Sequence, residues 1–380
     1  MKLRICHITE ASSGGVLTHL KQLAEEIDAQ KYHQTFIVSS IKNKNIQNVD
    51  FCGSRVCVID MMREIRPFHD FVSLVKLIRF FYSEKFDVIH CHSSKAGVLG
   101  RLAAKITGHK VVFYSPHAFA FNNYISKWKS FFYKSIERAM SVFTTQIVCV
   151  SLSEYTQAIE ERICRNNKLV LIRNGIKINP SSNIDSKKDD FLTKYGISKK
   201  AKIVCFMGRL SKQKNPPVFI EAISYIKEEN HVALIIGDGE LRNELRSQCE
   251  RLQIWDKIIF LGEIENPLEI LQFCDIYVST SLWEGMPYAI LEAVGLNIPV
   301  IASDIPGVTD VIENDVSGLL FSPMDFQRLS ELIRELLNDR TRAGKLAVNA
   351  KKIVETDYSL SQMVLSIQNL YDSYSLLKKR

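Results

Sequence analysis

Residues 231–263, HVALIIGDGELRNELRSQCERLQIWDKIIFLGE, contain the alternation of elements that decides the fold. The apolar runs HVALIIGDG and KIIFLGE predict two strands, and the amphipathic stretch Leu241–Arg251 between them predicts a helix. Strand, helix and strand in this order form the unit from which parallel sheets with helices on both faces are built. This part of the chain is therefore predicted to form a covered parallel sheet.

The same alternation extends in both directions over almost the whole chain. Further apolar runs predict strands at LRICHI, TFIVSS, VCVID, FDVIHCH, KVVFYSPH, QIVCVS, KIVCFMG, IYVSTS and IPVIASD. The pattern breaks at Asn179–Lys202, where NPSSNIDSKKDD is polar and has no periodicity. We predict an α/β protein with two doubly wound, Rossmann-like domains that face a cleft, with ligands beyond the carboxyl ends of the strands.

Composition limits the class of protein. Of the 380 residues, 46% are hydrophobic and 24% are charged, which is typical of a folded soluble protein and excludes a disordered or fibrous chain. No apolar run is long enough for a spanning helix, and the first apolar run is too short for a signal peptide. Nine cysteines without a CxxC pair indicate a reduced, cytoplasmic protein without a zinc knuckle.

The net charge of +7 is unevenly distributed along the chain. Residues 1–180 contain 25 Lys and Arg against 14 Asp and Glu, whereas residues 181–380 contain 24 against 28. The two halves therefore carry +11 and −4. A basic half is compatible with nucleic acid, an anionic lipid surface or a phosphorylated substrate, and composition alone leaves these open.

Residues that follow the predicted strands are candidate ligand contacts. Gly14 and Gly15 precede a helix, where backbone amides can approach a phosphate, although a structural tight turn explains them equally well. GxGxxG is absent, which disfavours a nicotinamide dehydrogenase. Gly208, Arg209 and Lys214 follow the strand KIVCFMG and offer two cations to a diphosphate, with a solvated basic loop as the alternative.

Residues 284–292, EGMPYAILE, form the strongest local motif. Glu284 follows the strand IYVSTS, Pro287 suits the first turn of a helix, and Glu292 lies among apolar residues. A carboxylate in such a setting is costly unless a group bonds to it, and hydroxyls of a sugar or ribose would do so. A structural glutamate that caps a neighbouring turn is the alternative.

The glutamate pair, the GRL-x3-K sequence at 208–214 and the Gly14–Gly15 pair together resemble the retaining glycosyltransferases of family 4, which have the GT-B fold. Further motifs follow the family's order over nearly the whole chain: HCHSSKAG (90–97), SPH (115–117), VSLSE (150–154), RNG (173–175), GDG (237–239) and IPG (305–307). The HSSKAG…SPHAF pattern is similar to enzymes of bacterial capsule, O-antigen and exopolysaccharide assembly. The resemblance implies an acceptor-binding domain at 1–176, a nucleotide-sugar-binding domain at 177–357, and a last helix, 358–380, that returns to the first domain.

The resemblance also implies a role for each matched residue. Arg209 and Lys214 would bind the donor diphosphate, Glu284 would bond the transferred sugar, and Glu292 would accept ribose hydroxyls. His117 would lie near the reacting carbon. The other donor contacts implied by the family are Gly14, Gly15, Gly208, Gly237, Leu261, Ile264, Gly285, Met286, Pro287 and Tyr288. The acceptor-side candidates are His92 and Lys95.

The mechanism implied is transfer without a cofactor or metal ion. No Asp-x-Asp motif occurs, so side-chain cations would stabilise the leaving group. A glycosidase with two flanking acids fits less well, because Glu284 and Glu292 belong to one ligand-holding motif. A GT-B-fold nucleotide-sugar epimerase and a non-catalytic sugar-nucleotide-binding protein remain as alternatives.

The expected partners are a nucleotide sugar, UDP-linked and carrying a hexose or N-acetylhexosamine, and a polyprenyl-diphosphate-linked saccharide. Residues 124–136 interleave aromatics with lysines, and on a helix Trp128 and Phe132 share a face with Lys127 and Lys134 off it. Such a face can lie on the anionic inner-membrane surface, or it can pack into its own domain. Nucleic acid fits the charge but not the donor motifs. We expect a cytoplasmic enzyme, peripheral on the inner face of the cell membrane.

Overall fold

A computed structural model gives the fold of the residues that can be described, which are 2–41, 43–121, 124–177 and 184–377. They divide into two compact units. The first comprises Met1–Gly175 with Ser359–Arg380, and the second comprises Ile176–Tyr358.

The first unit is built on a parallel sheet. Its described strands are β1 (Leu3–Thr9), β2 (Tyr32–Val38), β3 (Arg55–Val58), β4 (Val88–His92), β5 (Val112–Ser115), β6 (Gln146–Cys149) and β7 (Leu169–Leu171). They lie in the order β3-β2-β1-β4-β5-β6-β7. The helices between them are α1 (Gly15–Glu26), α2 (Pro67–Ser83), α3 (Ser94–Ile106), α4 (Lys127–Ser141) and α5 (Leu152–Glu160). Every residue of β4 is buried, as expected for a parallel strand between two helical layers.

The second unit repeats this plan. After α6 (Ile184–Lys194), its described strands are β8 (Lys202–Met207), β9 (His231–Ile236), β10 (Ile258–Gly262), β11 (Ile276–Ser279), β12 (Val300–Ser303) and β13 (Leu319–Phe321). They form a parallel sheet in the order β10-β9-β8-β11-β12-β13. The helices that follow β8 are α7 (Pro216–Ser224), α8 (Arg242–Arg251), α9 (Pro267–Leu271), α10 (Tyr288–Gly295), α11 (Phe326–Asn338) and α12 (Arg340–Asp357).

Two parts of the sequence interpretation need correction. The break at Asn179–Lys202 is expected from its sequence to lack periodic structure, but it contains α6, Ile184–Lys194. The first residues of that break lie outside the described ranges. The three-residue strands β7 and β13 were not predicted, because an apolar run of three residues carries too little pattern to be separated from a loop.

The chain ends with α13 (Leu360–Leu377), which packs on the first unit. Its buried residues join one hydrophobic cluster with β1, α1 and β5, and they are Leu360, Met363, Val364, Ile367 and Tyr371. The Tyr32 hydroxyl donates a hydrogen bond of 2.8 Å to Asp372, which fixes this helix beside β2. Among the helices that the structure describes, none is both long and apolar enough to cross a bilayer.

Both sheets reverse their strand order beside their first strand. The reversal lies between β1 and β4 in the first unit and between β8 and β11 in the second. In open α/β sheets, ligands bind beyond the carboxyl ends of the strands at such a switch point. The prediction of two doubly wound α/β domains is confirmed. Ligand sites are therefore expected at these two switch points.

Candidate active site

The switch point of the second sheet brings charged side chains together. Lys214 lies in the loop after β8, Glu284 lies in the loop after β11, and their side chains form an ion pair with a Nζ–Oε1 distance of 2.5 Å. The hydroxyl of Ser281 donates to the same carboxylate oxygen at 2.6 Å. The two charged side chains are only 24% and 8% exposed, so water screens their attraction less than in a surface pair. The predicted leaving-group cation and the predicted sugar-binding carboxylate are therefore neighbours.

Two glycines allow the loops at this edge to meet backbone to backbone. Gly237 has φ 128°, and a Cβ on it would lie 2.1 Å from the carbonyl oxygen of Gly208. Gly307 has φ 85°, and a Cβ on it would lie 2.6 Å from the carbonyl oxygen of Gly285. A side chain at either position would push the loops apart. These glycines therefore set the shape of the edge on which the charged groups stand.

Glu292 lies on α10, which begins directly after Pro287. The carboxylate is partly buried, and loss of hydration raises its pKa to about 7, while the charge of Lys214 acts in the opposite direction. No group within the described ranges donates a hydrogen bond to it. A desolvated carboxylate without a donor is costly, and ligand hydroxyls would supply the missing bonds.

The other predicted donor residues of the second unit lie along the same edge of the sheet. They follow β8, β9 and β11 or lie at the end of β10, and they are Gly208, Arg209, Gly237, Leu261, Ile264, Gly285, Met286, Pro287 and Tyr288. In the first unit, Gly14 and Gly15 are exposed at the beginning of α1. The structure thus places the predicted residues at strand ends in both units.

The switch point of the first sheet holds histidines in place of a charged pair. His92 ends β4, His117 follows β5, and their ring nitrogens Nδ1 and Nε2 lie 3.1 Å apart. His7 on β1, His19 on α1 and His90 on β4 belong to the same cluster. Burial is the main cause that lowers the pKa of all five, to about 3 for His7 and about 4 for His19. These rings are therefore neutral at pH 7.

His117 stands on a backbone turn held by a buried carboxylate. His117 and Ala118 have φ values of 51° and 90°, which are rare for residues with side chains. Glu154 accepts hydrogen bonds from the backbone N–H of Ala118 at 2.7 Å and of Val150 at 2.8 Å. Such strained turns persist where surrounding groups fix them, and they concentrate at functional sites.

The predicted acceptor-side lysine is engaged within the first unit. Lys95 on α3 forms a 2.6 Å ion pair with Asp70 on α2, and its side chain is largely buried. Glu10, at the end of β1, accepts hydrogen bonds from the Ser93 hydroxyl at 2.6 Å and the Ala96 N–H at 3.0 Å. Lys95 therefore connects two helices, whereas His92 lies in the histidine cluster.

Sequence reasoning missed His7, His19 and His90 as neighbours of His117. The signal for His90 was present, because His-x-His on a strand places residues 90 and 92 on one face. The register of β1 with β4, which pairs His7 with His90, was not available from the sequence. The location of His19 on the facing helix likewise required the fold.

Comparisons with known proteins agree with this geometry. The chain matches the family described as Glycosyltransferase Family 4 over residues 13–179 and the family described as Glycosyl transferases group 1 over residues 187–353. The two matched segments coincide with most of the two units.

Similar proteins come from bacterial surface polysaccharide assembly. The chain is 32% identical over 319 residues to the Escherichia coli UDP-Gal:alpha-D-GlcNAc-diphosphoundecaprenol alpha-1,3-galactosyltransferase, covering 82% of this chain and 81% of that protein. It is 25% identical to the capsular polysaccharide biosynthesis glycosyltransferase CapM of Staphylococcus aureus, covering 83% and 84% of the two chains. The crystal structure of Anabaena Alr3699/HepE in complex with UDP-glucose matches with a TM-score of 0.83 at 21% identity, over 98% of this chain and 100% of that one, which confirms the GT-B fold. The chain therefore belongs to the family 4, group 1 glycosyltransferases, as its motifs predicted.

Proposed function

We propose that this glycosyltransferase moves a hexose or N-acetylhexosamine from a UDP-linked donor to a polyprenyl-diphosphate-linked saccharide, with retention at the anomeric carbon. The observation that carries the proposal is the second switch point, where the Lys214–Glu284 pair lies beside Glu292. The E. coli relative supports the substrate classes, because its name specifies a UDP-linked galactose and a diphosphoundecaprenol-linked acceptor.

In this proposal the second unit binds the donor. Lys214 and Arg209 meet the diphosphate, Glu284 accepts hydroxyls of the transferred sugar, and Glu292 accepts hydroxyls of the ribose. Lys214 is already positioned by Glu284, so little side-chain freedom is lost when the diphosphate arrives. The N-terminus of α10 adds a favourable dipole toward the phosphates.

The chemical step breaks the bond between the anomeric carbon and the phosphate oxygen. An acceptor hydroxyl oxygen attacks the same carbon from the same face, and its proton passes to the departing phosphate. Lys214 and Arg209 stabilise the negative charge that develops on UDP, so the proposed mechanism requires no metal ion.

The first unit binds the acceptor in this proposal, and His117 lies near the reacting carbon. The lowered pKa of His117 indicates that its ring acts as a neutral hydrogen-bonding group and not as a cation. Its turn is held by Glu154, so the ring is oriented before substrate binds.

The test begins with a panel of nucleotide sugars, read as shifts of the melting temperature of the wild-type protein. The donors that bind are then incubated with a synthetic polyprenyl-diphosphate saccharide in EDTA, and the product linkage is assigned by NMR. We expect a glycoside product in which the transferred sugar keeps its anomeric configuration, and we expect it to form only when the acceptor is present. Conversion of the donor without acceptor would indicate the epimerase, and binding without product would indicate a non-catalytic protein. A metal requirement at the chemical step would contradict the proposed mechanism.

We further propose that α4 contacts an anionic membrane surface. Three of its aromatic residues face outward, with Trp128, Phe131 and Phe132 exposed by 73%, 60% and 43%, whereas Tyr133 packs against the core of the first unit and the buried positions are Glu137 and Ser141. The exposure of Trp128, Phe131 and Phe132 supports the membrane contact over the alternative, in which this face packs into its own domain. An exposed aromatic face on a helix that also carries lysines is typical of interfacial helices.

Liposome flotation at low salt tests the membrane contact. We expect binding to vesicles that contain anionic lipid and weaker binding after combined Trp128→Ser and Phe131→Ser substitution. Leu365→Ser, at an exposed apolar position on α13, is the matched control and should leave binding unchanged. Failure of the wild-type protein to bind anionic vesicles would favour a soluble acceptor.

A further inference from the structure

Three histidines of the first unit present ring nitrogens to one another. One ring nitrogen each from His19, His92 and His117 lies within 4.8 Å of the other two. The His92 Nδ1 to His117 Nε2 distance is 3.1 Å. The three residues come from α1, β4 and the turn after β5, so separate elements of the fold hold them in place.

We propose that His19, His92 and His117 form a binding site for a divalent transition-metal ion, with Zn²⁺ as the best-fitting ion. Zinc binds imidazole nitrogens at about 2.0–2.1 Å in tetrahedral geometry, which separates two ligand nitrogens by about 3.4 Å. The separation of the His92 and His117 nitrogens is close to that value, and a ring nitrogen of His19 lies within 4.8 Å of both. His117 is only partly buried, so an ion can enter beside it and a water molecule can take the fourth position.

The protonation state of the cluster favours metal binding. A metal ion binds the neutral imidazole and must otherwise displace a proton. Burial lowers the pKa of His19 to about 4 and lowers the pKa of His92 and His117 well below the ordinary value. At pH 7 no bound proton therefore competes with the ion at these rings.

His7 orients the ring of His92, one of the three proposed metal ligands. The Nε2 atom of His92 lies 3.2 Å from Nδ1 of His7, which is fully buried. When Nδ1 of His92 binds the ion, its proton is on Nε2 and is donated to His7. Metal-binding histidines commonly donate their other ring proton to such a partner, which fixes the tautomer and the ring orientation.

A second set of three histidines in the cluster is less suitable for binding a metal ion. His7, His90 and His92 also present nitrogens within 4.8 Å of one another. However, both ring nitrogens of His90 are hydrogen bonded, to the Tyr371 hydroxyl at 2.6 Å and to the Ser115 hydroxyl at 2.9 Å. All three rings are fully buried, which leaves an ion no direct path to them.

Occupation of the site would inhibit transfer, and this consequence rests on the proposed function. A bound ion uses the nitrogen of His117 that would otherwise bond the sugar. Zn²⁺ should therefore lower the rate reversibly, and EDTA should restore it. Metal binding itself does not depend on the identity of the substrates.

Titration of the full-length, EDTA-treated protein with Co²⁺ tests the site without an activity assay. We expect a visible absorption typical of tetrahedral Co²⁺ that saturates at one ion per chain and is displaced by Zn²⁺. His19→Asn, His92→Asn and His117→Asn should abolish the absorption. His7→Gln should weaken Zn²⁺ binding roughly 10–100-fold, the usual effect of losing an outer partner. His33→Asn, at an exposed position, is the matched control and should leave the titration unchanged.

Several outcomes would overturn the assignment. Absence of saturable Co²⁺ absorption in the wild-type protein would refute the site, and so would its loss in His33→Asn. Loss in His90→Asn with retention in His19→Asn would place the ion in the other trio. Substitution of a buried histidine can unfold the chain, so a second measurement uses the wild-type protein. X-ray absorption of the Zn²⁺-loaded protein counts the imidazole ligands of the ion, and fewer than three would contradict the proposal. Metal binding by a protein without transferase activity would support the site and contradict the proposed function.

Discussion

The two switch points occupy equivalent positions in similar sheets, yet their chemistry is opposite. The edge between β8 and β11 holds a charged pair, Lys214 and Glu284, beside the carboxylate of Glu292. The edge between β1 and β4 holds neutral rings, among them the buried ring of His92 and the partly buried ring of His117. The strand order determines where a ligand site forms, and the residues after the strands determine its charge.

The difference follows from what burial costs each type of group. A lysine and a carboxylate can be partly buried only as a pair, and Lys214 keeps part of its side chain in water. An imidazole can be buried alone, because it releases its proton and becomes a neutral hydrogen-bonding group. The charged edge therefore suits a diphosphate, and the neutral edge suits sugar hydroxyls.

The largest expected difference between the units is their stability in acid. The folded-state pKa values of His7 and His19, about 3 and about 4, lie below the unfolded value near 6.5. The unfolded chain therefore takes up protons first as the pH falls, and stability decreases below pH 6.5. At pH 5 each histidine costs about 2 kcal/mol, so these two alone cost about 4 kcal/mol.

Hydrogen exchange of peptides from each unit at pH 7 and pH 5, corrected for intrinsic rates, measures this effect. We expect the first unit to lose protection before the second, whose single histidine with a lowered pKa is His231. His7→Gln should remove about half of the loss of folding stability at pH 5 that is assigned to His7 and His19. His33→Gln, at an exposed position, should not change this loss. Equal acid sensitivity in the two units would contradict the comparison.

The next largest effect is expected at the charged edge. Lys214→Ala removes a preorganised cation from the leaving group, which typically costs about 2.7–4 kcal/mol, or about 10²–10³-fold in turnover. Lys212→Ala, an exposed lysine of the same loop, is the matched control and should retain full activity. Steady-state kinetics of transfer provide the measurement, and full activity in Lys214→Ala would refute the leaving-group assignment.

The sequence predicted the charged edge better than the neutral one. Arg209, Lys214, Glu284 and Glu292 lie in short motifs directly after strands, so local pattern and family resemblance identified them. The histidine cluster depends on the register between β1 and β4 and on a facing helix, which are contacts between distant parts of the chain. Glu154 was quoted within the motif VSLSE, but only the fold shows that its carboxylate holds the turn of His117.

A smaller effect is expected from His117→Asn. Asparagine tolerates the positive φ of this position, so the substitution removes the ring while keeping the backbone. Loss of one hydrogen-bonding group at the reacting sugar should lower kcat by about 10²-fold, at the lower end of the range for such groups. UDP affinity, measured by calorimetry, should stay the same, because the side chains assigned to UDP, those of Arg209, Lys214 and Glu292, lie in the second unit. A parallel loss of UDP affinity would contradict the division of roles.

The smallest expected effect is the pH dependence of UDP binding, and it separates the two edges directly. The pKa of Glu292 is raised to about 7, so the free protein holds this group partly protonated at neutral pH. Ribose hydroxyls donate to the ionised form, so binding releases a proton, and UDP affinity should rise as the pH increases toward 7, by at most tenfold per pH unit. Calorimetry at pH 6, 7 and 8 should show this rise, and Glu292→Gln should abolish it, whereas the exposed Glu331→Gln should not. The neutral histidines of the first unit should not affect how UDP affinity changes between pH 6 and pH 8. If this pH dependence disappeared in His117→Asn and persisted in Glu292→Gln, the roles assigned to the two edges would be reversed.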